Sequence, residues 1–318
     1  MFVKGVTKCY NPIVLEKDME IFKIEQKEKR KVYRLFGKTI FRSGEKRRGM
    51  YDMKRLVEDY IGYKTYLKKW EIQHGWAADS SMIRALSDFS NFEYMLVWSK
   101  KLKEDWEKKS DIPCEVVTSP FVLYRRKNNI VQSKDAKGTI AYPAHSVINA
   151  KQKYDIDEYC QKLRELPDEF QPVTIQLHHL DIDKYGMDKE YEKRGFKTVC
   201  ASYGQGDKQF YEAFYDILKN FKYATSNDPG TYMCYAIEMG IPFFFYGEPS
   251  VLEDEKAPEY HSVRDYPNGK IAYEIFSKKP STVITKEQKE FVEEQIGIND
   301  GADRETLRKF FGKIRRWI

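Results

Sequence analysis

No apolar run in the 318 residues approaches the roughly 20 residues that a membrane-spanning helix requires. The first residues hold no apolar stretch of the secretory kind, so a cytoplasmic chain is expected. The five cysteines, Cys9, Cys114, Cys160, Cys200 and Cys234, are scattered, with no paired metal-ligand spacing. They read as reduced thiols and not as a disulfide framework or a zinc site. There is no internal repeat, no low-complexity tract and no RNA- or DNA-binding motif, so nucleic acid is not an expected partner.

What is present is a globular composition. Hydrophobic residues make up 41% and charged residues 33%, in a chain long enough for a large core and two domains. The net charge of +6 is uneven. Residues 1–70 carry 19 Lys+Arg against 9 Asp+Glu, a net +10, which leaves the remainder at −4. This asymmetry favours an anionic contact, with a membrane surface ahead of nucleic acid.

From residue 138 onward strands and helices alternate. "GTIAYPAHS", "QPVTIQLHHLD", "FKTVCASYG", "KYATSN" and "IPFFFYGEP" read as strands. "DIDEYCQKLRELPDEF", "MDKEYEKRG" and "DKQFYEAFYDILKNF" read as helices between them, the second stopped by Gly195. The spacing predicts a parallel sheet covered on both faces. Residues 45–130 predict a smaller α/β domain, with a helix over 50–70, a strand at Tyr94–Trp98 and a helix after it. "PCEVVTSPFVLY" reads as a strand and loop. "KVYRLFGKTIF" reads as a hairpin or an amphipathic patch. Residues 251–282 read as loop, Thr285 as the cap of a helix, and "DRETLRKFFGKIRRWI" as a final basic helix. The domains expected are 1–130, 138–282 and 283–318.

"TSNDPGTYMCYAIEMGIPFFFYGEPS", residues 225–250, raises the question of ligand binding. Asp228 reads as an N-cap and Pro229 as the first helical residue. A helix start offers free amide hydrogens and partial positive charge, and Gly230 leaves the approach open. Ser226, Asn227 and Thr231 add polar donors. Such a turn lies beyond the carboxyl end of a strand, where α/β proteins place ligands.

This segment resembles the donor-binding segment of GT-B glycosyltransferases, and "IQHGW" resembles their N-terminal His-Gly loop. "FEYMLVWSKKLKEDWEKKSDIPCEVVTSPF" is similar to the part that leads to the linker. The resemblance covers roughly residues 70–250 and has the flavour of bacterial surface-polysaccharide enzymes. It implies an α/β, GT-B-like fold: a C-terminal Rossmann-like domain with a parallel sheet and a reduced N-terminal α/β domain. It implies a glycosyltransferase of capsule or lipopolysaccharide synthesis, with a nucleotide-sugar as donor substrate, no separate cofactor and no required metal. A glycan or lipid-linked acceptor would complete the reaction, at the inner face of a membrane where the basic N-terminal region and the terminal "KIRRWI" would rest. Retaining members often carry two glutamates eight residues apart; here Asn227 and Tyr235 hold those positions, which disfavours that subfamily.

The chemistry needs a stabilised leaving diphosphate and a base for the acceptor hydroxyl. The first falls to the Gly230–Thr231 amides with Ser226 and Asn227, helped by Arg125 or Arg126. The catalytic base is His74, with Asp79 or Asp88 as alternatives. His145 and Glu248 are candidates for binding the donor. Of His178 and His179, read as ending a strand, one at most faces the ligand. Tyr203, Gly204 and Gly206 are candidates to flank the nucleotide base. CDP-alditol phosphotransferases share the His-Gly loop and a Ser-containing phosphate turn, so they remain an alternative. A non-catalytic binding protein of an assembly complex is the other.

Overall fold

The computed structural model describes residues 22–27, 30–35, 38–43, 50–79, 92–147, 150–201, 210–254, 263–276 and 278–316. The chain divides into two compact units, Met1–Arg47 and Arg48–Ile318. The first holds an antiparallel meander of β1 (Phe22–Lys27), β2 (Arg30–Leu35) and β3 (Lys38–Ser43). Of the two sequence readings for "KVYRLFGKTIF", the hairpin is the one adopted.

In the second unit the chain runs through α1 (Met53–Ile61), β4 (Trp70–Ile72), β5 (Tyr94–Val97), α2 (Lys100–Glu107), β6 (Cys114–Val116) and α3 (Pro120–Lys127). Next come β7 (Thr139–Ala141), β8 (Ala150–Lys153), α4 (Ile156–Arg164), β9 (Val173–Gln176), α5 (His179–Tyr185) and α6 (Met187–Lys193). They are followed by β10 (Lys197–Val199), α7 (Phe210–Leu218), β11 (Tyr223–Ser226), α8 (Thr231–Glu238), β12 (Phe243–Phe245) and β13 (Val251–Asp254). Helices α9 (Pro267–Ile275), α10 (Lys286–Gln295) and α11 (Arg304–Phe310) complete the series.

Two parallel sheets result, so the architecture is mixed α/β. One has the order β4-β5-β6 and the other β10-β9-β7-β11-β12. In the larger sheet β7 is the reversal point: β9 and β10 extend to one side, β11 and β12 to the other. Strands β8 and β13 pair separately and antiparallel.

The pleat explains why β5 (YMLV) and β12 (FFF) are apolar throughout. Successive side chains point to opposite faces. Phe243 and Phe245 enter the core that spans both sheets, while Phe244 enters the core beneath α4. Likewise Leu96 and Trp98 join the shared core, and Met95 and Val97 join the cluster under α2. Each fully buried phenylalanine contributes about 1.5–3 kcal/mol. Helix starts carry their signals. Asp155 accepts from the amides of Asp157 and Glu158, and Thr285 and Gln288 form a reciprocal capping box at α10.

The two sheets are locked through α8. Phe121 of α3 stacks on Tyr235 with ring centroids 5.4 Å apart, and Ser119 Oγ lies 2.9 Å from the Tyr235 hydroxyl. Arg125 clasps the buried Glu238 with two hydrogen bonds of 2.6 Å. On the other side of α8, Trp76 Nε1 donates to Gln295 of α10 at 3.0 Å.

Several sequence expectations are corrected. "PFVLYRRK" is a helix and not a loop, because Pro120 sits at a first-turn position that needs no amide hydrogen. Residues 251–282 are not all loop: they include β13 and α9, the latter again opened by a proline. His178 and His179 do not end a strand. β9 stops at Gln176, and His178 caps α5, its Nδ1 accepting from Leu180 N at 3.3 Å.

Candidate active site

Strands of both sheets point their carboxyl ends at one region. Beyond β4 lies Gln73-His74-Gly75-Trp76, beyond β7 lies Tyr142–Ser146, and beyond β9 lies Leu177-His178-His179. Beyond β11 lies Asn227–Gly230. Gln73 shapes the first turn: its amide nitrogen donates to Gly75 O at 2.8 Å and its oxygen accepts from Trp98 N at 2.7 Å. Trp76 N then donates to Thr231 Oγ1 at 2.9 Å, which presses the His-Gly turn against the start of α8. A Cβ on Gly75 would sit 3.0 Å from that hydroxyl, so the close approach favours glycine.

Four of the five histidines of the sequence gather here. His145 and His178 stack at 4.5 Å and 20°, and His178 meets His179 at 4.2 Å. His74 packs on Tyr51 at 5.7 Å. Burial, followed by the nearby His145, holds the His74 imidazole down at about 4. Burial and then His145, His179 and His74 hold His178 at about 3. His179 is lowered too, chiefly by burial, and its buried Nδ1 has no hydrogen-bond partner among the described residues. His74, His178 and His179 are therefore neutral at neutral pH, each able to offer one donor and one acceptor nitrogen.

The hydrogen bonds assign two of the tautomers. His145 Nδ1 lies 2.9 Å from Ser146 O, an acceptor only, so Nδ1 carries a hydrogen, and in the neutral form of the ring Nε2 is the acceptor. His178 Nδ1 accepts from Leu180 N, so its hydrogen is on Nε2. The stacked pair thus presents one acceptor and one donor. The His145 loop is held by Ser146 N, which donates to the Asp181 carboxylate at 3.2 and 3.3 Å.

Tyr51, which the sequence reading missed, completes the wall. It stacks on Phe210 at 4.1 Å, and burial, with the Cys200 thiol as a smaller cause, raises its hydroxyl to about 12. Tyr51 and Asp52 both lie at φ near +54°, in the left-handed region that costs non-glycine residues about 1–3 kcal/mol. Nothing in "GMYDMK" signals that conformation.

The turn before α8 differs most from its expected role. Asp228 is not the N-cap; Gly230 holds that place without a side-chain cap bond. Asp228 is buried, accepts from Ser250 N at 2.9 Å and from Ser250 Oγ, and receives Arg264 Nε at 3.0 Å. Burial outweighs these partners and raises its carboxyl above the usual range. Ser226 is fully buried, and its Oγ meets Asp228 O at 2.8 Å and the Tyr232 hydroxyl at 2.9 Å. Asn227 Oδ1 accepts from Ala144 N at 2.9 Å and its Nδ2 donates to Glu248 O at 3.3 Å. These side chains shape the turn and do not project as free donors.

Tyr232 folds back across Gly230, so close that a Cβ there would lie 2.6 Å from its ring. Gly230 and Thr231 remain partly exposed beside it. The expected cations are elsewhere: Arg125 and Arg126 both bind Glu238, at the opposite end of α8. Eight helical residues, about 12 Å, separate them from Gly230. Glu248 is exposed, and only its backbone joins the ring of loops. Asp79 follows Ala77 and Ala78, whose carbonyls Asn268 binds at the start of α9. Asp88, Tyr203, Gly204 and Gly206 lie outside the described residues.

Two Asp-x-Asp triplets occur in the sequence, ending at Asp157 and Asp183. Asp155 serves as a helix cap and Asp181 binds Ser146, and no group of three or more His, Cys, Asp or Glu among the described residues is arranged to hold a metal ion.

No protein-family model matches the chain, and no curated protein matches it. Among solved structures, the wall teichoic acid polymerase TagF soaked with CDPG is a weak structural neighbour. The two are 14% identical with a TM-score of 0.34, over 70% of this chain and 56% of that one. The chain therefore spans little more than half the length of that polymerase.

Proposed function

We propose that the chain is a transferase that draws on a nucleotide-linked donor and passes a group to a hydroxyl acceptor in surface-polysaccharide synthesis. The observation that carries this reading is the meeting of His74, from one parallel sheet, with His145 and His178, from the other. Imidazoles beyond the carboxyl ends of parallel strands, with those of His74 and His178 held neutral by burial, suit proton transfer at a reacting hydroxyl. In this reading residues 1–130 and 138–282 act as the acceptor and donor sides of a GT-B-like layout, and 283–318 are the closing helices. The chain works in the cytoplasm at the inner face of a membrane.

For glycosyl transfer, the acceptor oxygen attacks the anomeric carbon of the sugar. Its proton passes to His74, and the carbon–oxygen bond to the diphosphate breaks. The backbone amides at Gly230 and Thr231 take the leaving phosphate, with Ser226 and Asn227 keeping the turn in shape. A donor panel tests this: release of nucleoside diphosphate from one sugar nucleotide is expected. No release and no thermal stabilisation by any nucleotide-linked donor would reject the reading.

One observation favours a second chemistry. The acceptor nitrogen of His145 beside the donor nitrogen of His178 suits in-line displacement at phosphorus, which needs a base on one oxygen and a hydrogen-bond donor on another. The donor would then be a CDP-alditol, and the product released would be CMP. The same panel separates the two by which donor is consumed.

A further inference from the structure

α11 and the turn after α1 enclose an open cavity of about 480 Å³, built from elements that the histidine site does not use. Its wall carries three cations, Arg308, Lys309 and Arg315, against one carboxylate, Glu305. Arg308 Nε donates to Ile61 O at 2.6 Å, at the carboxyl end of α1, where a cation also complements the helix dipole. Glu305 approaches Arg308 only to 3.9 Å. The Arg315 guanidinium lies 5.1 Å over the Tyr63 ring, and the Tyr63 hydroxyl donates to Arg308 O at 2.9 Å. A β-bridge between Thr65 and Arg315, and Arg316 N donating to Lys64 O at 2.8 Å, fix the segment to the body of the unit. Gly62, at φ +81°, keeps the wall open: a Cβ there would come within 3.0 Å of the Arg308 guanidinium.

Charge and shape select the ligand. Guanidinium groups and an ammonium around a small cavity match the oxygens of a phosphate group. Beside it, the bridge brings Arg316 to 5.8 Å from the Tyr66 ring, and Tyr66 is 54% exposed. Exposed tyrosine next to several cations is the composition of residues that rest at a membrane–water interface. We propose that this pocket binds the phosphate of an anionic lipid headgroup and seats the chain on a membrane surface. No helix among the described residues is long and apolar enough to cross a membrane.

The test is co-sedimentation of the full chain with phosphatidylcholine vesicles, with and without phosphatidylglycerol. The double variant Lys309→Gln, Arg315→Gln changes two exposed side chains. A control, Lys101→Gln with Lys286→Gln, removes the same charge from exposed positions on α2 and α10. Partition onto the anionic vesicles is expected to fall roughly five-fold per pocket cation lost. The control is expected to bind within about two-fold of the parent, and the parent to bind neutral vesicles weakly. Equal loss in the control, unchanged binding in the double variant, or equal binding to neutral vesicles would overturn the proposal. So would stabilisation by inorganic phosphate, sensitive to the double variant, without vesicle binding: the pocket would then serve a soluble phosphate. The transferase chemistry is untouched by any of these results, since no arm measures turnover; only the membrane seating, which deepens the reading above, stands or falls with them.

Discussion

A histidine that takes a proton from a hydroxyl must arrive neutral, and burial supplies that state at His74. His74→Gln keeps much of the shape and removes the base, so transfer is expected to fall about 100-fold or more while donor affinity changes little. Initial rates over a donor titration, with a thermal melt as the folding control, check this. The same burial has a cost at low pH. His74 titrates near 6.5 in the unfolded chain and near 4 when folded, and His178 near 6.5 and near 3. Between those values the unfolded chain holds more protons. Stability is therefore fully present above about 6.5 and falls as pH is lowered through the window. Urea midpoints at pH 7 and pH 5 should show the drop, and His178→Gln should make it smaller.

Among elements, α8 carries the most. Its sequence announced the helix correctly but not its start, because Asp228 and Pro229 have the composition of a cap. A long-range partner set, Ser250 and Arg264, drew Asp228 away. That kind of contact leaves no local periodic signal. The strands were legible for the opposite reason: Phe243–Phe245 is a short apolar run, and Tyr223–Ser226 a short run of small and aromatic residues, each bounded by turn residues. Gly195, at φ +81°, likewise stops the chain after α6 as read. The histidine cluster was half legible. His74 and His145 sit in the loops beyond β4 and β7, close to where the strands were expected to end, but His178 caps a helix that the strand reading did not foresee, which hid its stacking on His145. At the far end of α8, Glu238→Gln would leave Arg125 poorly paired in a mostly buried place. A loss of about 3 kcal/mol is expected in urea denaturation. Gly297 lies at φ +66°, where a Cβ would meet Trp98 O at 2.6 Å and Val117 O at 2.8 Å. Gly297→Ala is expected to cost about 2 kcal/mol, read the same way.

At the scale of the whole unit, two parallel sheets share one continuous core through α3, α8 and α10. A ligand that touches loops from both sheets should therefore stabilise the unit as a whole. A donor at 100 times its dissociation constant is expected to add about 2.7 kcal/mol, visible as a single shifted melting transition. Two separate transitions, with only one of them shifted, would instead mean that the sheets unfold independently.

The placement of α11 has a consequence for synthesis. Phe310 packs on Tyr94 and Phe311 on Trp70, so the first parallel sheet receives its cover from a helix translated long after its own strands. While the ribosome is still making the intervening segments, that aromatic surface has no lid. A nascent chain stalled before residue 304 would leave those rings open to chaperones and proteases, and quality control would meet it before any substrate does.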